Sequence, residues 1–98
     1  MHVVVNHLHF RDPVTEATIT ASQDAVDAVV AAGGLNAQVA QVTDTHLMLI
    51  LTFATADDAG RIAREVGGPW MNEHIRPLLA GDTDRNVGAV VAHAVRET

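Results

Sequence analysis

The run from Thr45 to Ala54 sets the strongest limit on the fold. At its centre Leu47, Met48, Leu49, Ile50 and Leu51 follow one another without a polar residue. A strand turns successive side chains to opposite faces, so this run is apolar on both. It is far too short to cross a bilayer as a helix. Such a segment belongs inside a sheet that is covered on both sides. Leu35 to Thr43 forms a second strand-like run, and the two meet at Asp44 in a tight hairpin.

Helical patterns flank the hairpin. Upstream, Asp12 is placed to cap a helix with Pro13 at its first position, and the pattern runs to Ala32. Thr18-Ile19-Thr20 weakens that helix, Ser22 is a point where it can restart, and Val26, Val29 and Val30 supply its apolar stripe. Gly33-Gly34 stops it. Downstream, Thr55-Ala56-Asp57-Asp58 has the form of a capping box, and Ala59, Ile62, Ala63 and Val66 recur at helical spacing. Gly67-Gly68 is expected to end this helix, and Pro69 to open a short second one with Trp70, His74 and Leu78 on one face. Pro77 ends or kinks that segment. Residues 2–10 and 85–95 alternate as the outer strands, with Val4, Asn6, Leu8 and Phe10 on one face of the first and Val3, Val5, His7 and His9 on the other.

The order is therefore β-α-β-β-α-β, an α+β ferredoxin-like arrangement in a single domain spanning residues 1–98. Its helices can cover one sheet face only. The other still carries Val3 and Val5. Only Phe10, Phe53 and Trp70 are aromatic, which leaves a thin core for 98 residues. Covering the free face with a second copy is the usual remedy, so a homodimer is expected.

Several functions are excluded. The formal net charge is −6, and the basic residues are all Arg, scattered without a stripe, so neither nucleic acid nor an anionic membrane is an expected partner. There is no Cys, hence no disulfide and no thiolate chemistry. The start of the chain lacks the basic region and long apolar core of a signal peptide, so a cytoplasmic location is expected. No G-x-S-x-G, P-loop or G-x-G-x-x-G occurs. His7 and His9 share a strand face, and His46 and His93 lie on other strands, but no acidic residue or Cys joins them at ligand spacing. No metal is expected.

Asn6 is the most informative polar residue. Buried among Val4, Leu8 and Phe10 without a partner it would cost about 1–3 kcal/mol. A ligand, a water or backbone can supply that partner.

In length, element order and broken second helix the chain resembles the dimeric α+β barrel superfamily, and within it the antibiotic-biosynthesis-type monooxygenases and their haem-degrading relatives. Those relatives surround their ligand with an Asn on the first strand, a His late in the second helical region and a Trp about ten residues before it. Asn6 and His74 match the first two. Arg64 stands where the Trp would be, and Trp70 lies one turn before His74 instead. That departure speaks against haem breakdown.

The resemblance implies a cofactor-independent monooxygenase for a planar aromatic or quinol-like small molecule. In it His74 would act as base, Asn6 would hydrogen-bond the developing anion, and Trp70, Leu8 and Phe10 would contact the substrate. No cofactor is expected. The alternatives are a non-catalytic domain that binds a small hydrophobic molecule, haem included, and a domain that only dimerises. A cavity shared by Asn6, Trp70 and His74 separates the first two from the third.

Overall fold

The computed structural model describes residues 1–96. Strand β1 (His2–His9) leads to helix α1 (Glu16–Ala31), then to the hairpin of β2 (Asn36–Thr43) and β3 (His46–Phe53). Helix α2 (Ala56–Ile62) opens a helical region that continues to Leu78, and β4 (Asp84–Ala89) closes the sheet. The sheet is antiparallel in the order β2-β3-β1-β4, which is the ferredoxin-like topology.

The two-sided apolar run lies in β3, which is hydrogen-bonded on both edges. Leu47, Leu49, Leu51 and Phe53 are buried beneath the helices, while Met48 and Ile50 turn to the other face and stay half-buried. β1 is also central. Val4, Asn6 and Leu8 face the helices, and Val3, Val5 and His7 face away. Two apolar clusters fill the space under the helices. One joins Val4, Val29, Leu49, Leu51, Phe53, Ala59 and Ile62, and the other joins Leu8, Phe10, Leu47, Met71 and Ile75.

Local chemistry explains the boundaries. Helix α1 starts at Glu16, later than Asp12-Pro13 suggested, because the Thr15 hydroxyl accepts from the Thr18 backbone N–H at 3.3 Å and takes the capping role. The helix does not break at Ser22, whose hydroxyl donates to the Thr18 carbonyl at 2.8 Å. Val30, expected in the core stripe, is exposed. Gly33 adopts φ 120°, and a Cβ on Gly34 would lie 2.8 Å from a Val29 methyl, so this pair does stop the helix. Arg61 then ties the helices together by donating to the Ala32 carbonyl at 3.0 Å, at the negative end of α1. Thr55 caps α2 as its motif predicts, accepting from Asp58 N–H at 3.1 Å.

Two expectations fail. Gly67-Gly68 does not end the helix: both glycines hold helical angles. Wide turns with i→i+5 bonds, Ala63–Gly67 and Met71–Ile75, flank Gly68–Trp70 and carry the chain past Pro69 to a short 3₁₀ turn at Arg76–Leu78. The last strand ends at Ala89, not at residue 95. The Val90 N–H bonds the Met1 carbonyl at 2.9 Å, and there the neighbouring strand runs out. Beyond it Val91 is 95% exposed.

Candidate functional site

Asn6 sits at the centre of β1, opposite Leu49 on β3 and Arg85 on β4. Strand alternation forces its side chain under the helices, where it is 8% exposed and its Oδ1 has no hydrogen-bond partner. Trp70 reaches the same space from the helical region. Its indole Nε1 is also buried and also unpartnered. Among the described residues these are the buried side-chain polar atoms left without a partner. Native interiors rarely leave such groups unpaired, because each costs about 1–3 kcal/mol.

Both line one cavity of about 180 Å³ between the sheet and the second helical region. Its walls are apolar, drawn from Val4, Val29, Leu51, Phe53 and Ile62, and its mouth carries Arg76, Thr83 and Arg85. Neither arginine forms an ion pair or a side-chain hydrogen bond among the described residues. Among the described residues no carboxylate and no imidazole lines the cavity. It is therefore an apolar slot with an amide and an indole N–H inside and uncompensated positive charge at its edge. A flat apolar molecule with polar oxygens, weakly acidic or anionic, satisfies every one of these groups.

The wide turns position Trp70. A Cβ on Gly68 would come 3.0 Å from the Ala63 carbonyl oxygen, so glycine allows the tight passage just before the indole. A second hollow between α1 and β2, lined by Ile19, Ser22 and Gln38 among others, contains no unpartnered buried atom.

The structure brings Asn6 and Trp70 together and leaves the other expected site residues out. His74 is exposed, its side chain 44% accessible and its Nε2 3.8 Å from the Glu73 carboxylate. Its ring centroid lies 6.2 Å from that of Trp70, yet it does not line the cavity. The cause is which face packs: Met71 and Ile75, also four apart, take the core side, and His74 beside Trp70 is left at the solvent edge. Leu8 and Phe10 pack with Leu47, Met71 and Ile75 and are core residues beyond the cavity. Arg76 and Arg85 were not anticipated. Arg85 carries a usable signal, since it shares strand parity with Val87 and pairs with Asn6. Arg76 carries none, because its position depends on the wide turns.

Among the described residues no group of three His, Cys, Asp or Glu is arranged to hold a metal ion. Among the described residues no helix is long and apolar enough to cross a membrane.

Neither a family model nor a curated relative matches the sequence. Solved structures do match in fold. A candidate antibiotic biosynthesis monooxygenase from Nitrosomonas europaea superposes with a TM-score of 0.81 at 14% identity, over 94% of this chain and 100% of that one. SnoaB, a cofactor-independent oxygenase from Streptomyces nogalater, gives 0.77 at 11% identity over 94% of each chain. A dimeric ferredoxin-like protein from an uncultured marine organism gives 0.71 at 14% identity, over 98% of this chain and 92% of that one. The chain thus shares its fold with these structures.

Proposed function

We propose that the cavity binds a small, planar, electron-rich hydroxyaromatic or quinol-like molecule, and that the reaction it serves is cofactor-independent monooxygenation. The observation that carries this reading is the convergence of two unpartnered buried polar groups, Asn6 Oδ1 and Trp70 Nε1, on one apolar cavity. Support for the reaction type comes from the oxygenases that share the fold. Without a cofactor the substrate itself must supply the electrons that reduce dioxygen. An activated CH₂ becomes C=O, one oxygen atom enters the product, and the other leaves as water with the two hydrogens.

The step needs a stabilised substrate anion. The indole N–H donates to one substrate oxygen, and the Asn6 amide accepts from a hydroxyl or donates to an oxyanion. Arg76 and Arg85 at the mouth lower the pKa of a ligand hydroxyl, because their positive charge favours its anion. In this arrangement the proton leaves to water through the mouth, with His74 as a bystander. A cavity of about 180 Å³ suits one or two fused rings, below the range of about 300–1,000 Å³ that houses drug-sized ligands. Haem is not the ligand proposed: a cavity of about 180 Å³ with no His among its described lining residues speaks against it.

The absence of any carboxylate or imidazole in the wall favours a second reading, a non-catalytic carrier for the same ligand class. Oxygen uptake separates the two. A panel of one-ring and two-ring phenols and naphthols, incubated with the protein, is expected to consume oxygen one-to-one with ketone product. Trp70→Phe keeps an aromatic ring and removes the donor, and is expected to weaken hydroxynaphthoquinone binding by calorimetry about tenfold. Saturable binding without oxygen uptake establishes the carrier. Unchanged binding in both Trp70→Phe and Asn6→Leu defeats both readings.

A homodimer belongs to the same proposal. The sheet face turned away from the helices presents Val3, Val5, Ala40, Met48 and Ile50 with no element of the chain over it among the described residues. A second copy laid on this face covers it, in keeping with the dimeric protein of the same fold.

A further inference from the structure

Beside that apolar patch, at one corner of the outer sheet face, lie three imidazoles. His9 on β1 is directly opposite His46 on β3, and His7 is the next outward-facing residue of β1. His7 Nδ1 is 3.0 Å from His46 Nε2, and the His9 and His46 ring centroids are 4.3 Å apart. At that separation one ring nitrogen donates and the other accepts, which requires an unprotonated acceptor. Charging both members of the pair destroys the bond and sets two cations against each other.

We infer that the outer sheet face is a proton-sensitive docking surface for a second copy of this chain, competent while His7, His9 and His46 are neutral and released when they become charged. This rests on the dimer proposed above and adds its control.

The surroundings give the cluster little help in holding charge. On β4, Asp84 stands opposite His7, and its Oδ1 accepts from Asn86 Nδ2 at 3.3 Å. β2 contributes Thr43 opposite His46 and no ionisable side chain. Asp44 occupies the hairpin turn, and Arg11, just past β1, donates to the Pro77 carbonyl. Among the described residues no carboxylate reaches ion-pair distance of His7, His9 or His46. His46 is held below the ordinary imidazole value of 6.5 by desolvation first and then by the His9 and His7 charges. A second copy over this corner removes more water and lowers it further.

The sign follows from linkage. The docked state binds fewer protons than the free protomer, so association is complete above the free-state imidazole range and weakens as pH falls through it. Each imidazole that must stay neutral weakens association about tenfold per pH unit below its free-state value.

Sedimentation equilibrium of the full chain between about pH 8 and pH 5 spans the imidazole range and tests this. The dimer Kd is expected to rise at least about tenfold across it. His46→Gln and His7→Gln are expected to dimerise at the upper pH and each to show a shallower dependence, while His74→Gln keeps the wild-type profile. His9→Gln, at an exposed position, carries the same test if circular dichroism shows either of the first two unfolded. A dimer whose Kd is flat with pH, or unaltered in its pH dependence by all three cluster variants, overturns the inference and leaves the dimer standing. A monomer at the upper pH removes the dimer itself, and the inference with it.

Discussion

Asn6 is a poor residue for the place it occupies if stability alone decides. Its neighbours on the same strand face are Val4 and Leu8, and its Oδ1 is buried without a partner. Leu at this position removes the unsatisfied group and adds apolar contact. Asn6→Leu is therefore expected to raise stability by about 1–3 kcal/mol, which in a domain of this size is about 4–8 °C in Tm per kcal/mol. The same substitution is expected to abolish binding of the quinone probe. Thermal melting and calorimetry on one protein sample check both halves. Lower stability in Asn6→Leu would mean that the amide serves the fold rather than a ligand. His74 gives the converse case. An exposed imidazole beside Glu73 contributes nothing to the cavity, so His74→Ala is expected to leave probe affinity and Tm unchanged.

The helical region between α2 and β4 shows how element-scale geometry decides which side chains reach the site. Gly67 has open space around a prospective Cβ, while one on Gly68 meets the Ala63 carbonyl oxygen at 3.0 Å. Gly67→Ala is expected to stabilise by about 0.5–1 kcal/mol through reduced chain entropy. Gly68→Ala is expected to destabilise, because the obstructing atom is backbone and cannot swing aside, and to disturb Trp70 emission. Urea unfolding of the two variants compares them directly. Strand parity was legible in the sequence: the period of two placed Asn6 under the helices and Val3 and Val5 outside, and the capping box placed Thr55. The helical face of His74 was not legible. Trp70 and His74 do stay neighbours at i, i+4, but that spacing does not say which face packs, and Met71 and Ile75, also four apart, take the core side. Nothing in a Gly-Gly-Pro sequence distinguishes a helix stop from a widened helix, since both use the freedom of glycine. The early end of β4 was hidden for a similar reason. Residues 85–95 alternate as a strand throughout, but a ladder needs a partner, and β1 has none to offer beyond Met1.

At the scale of the whole molecule the sheet has one finished face and one bare one. The finished face holds both apolar clusters and the cavity. The bare face has half-buried Val3, Val5, Met48 and Ile50 at its centre, with the histidine cluster at one corner. If a second copy covers it, folding and association are linked, and stability depends on protein concentration by mass action. The Tm is then expected to rise with concentration, because the unfolded chains do not associate. Ile50→Asp tests the surface itself: its side chain points away from the cavity, so it leaves the ligand site intact. In a dimer it buries an unpaired carboxylate twice, and the expected outcome is a monomer with a lower, concentration-independent Tm. Its affinity for the quinone probe then shows whether one protomer makes a complete cavity, as the lining residues of the single chain imply. Ile50→Asp that sediments and melts like the wild type places the subunit contact elsewhere and leaves Val3, Val5 and Ile50 as exposed apolar surface.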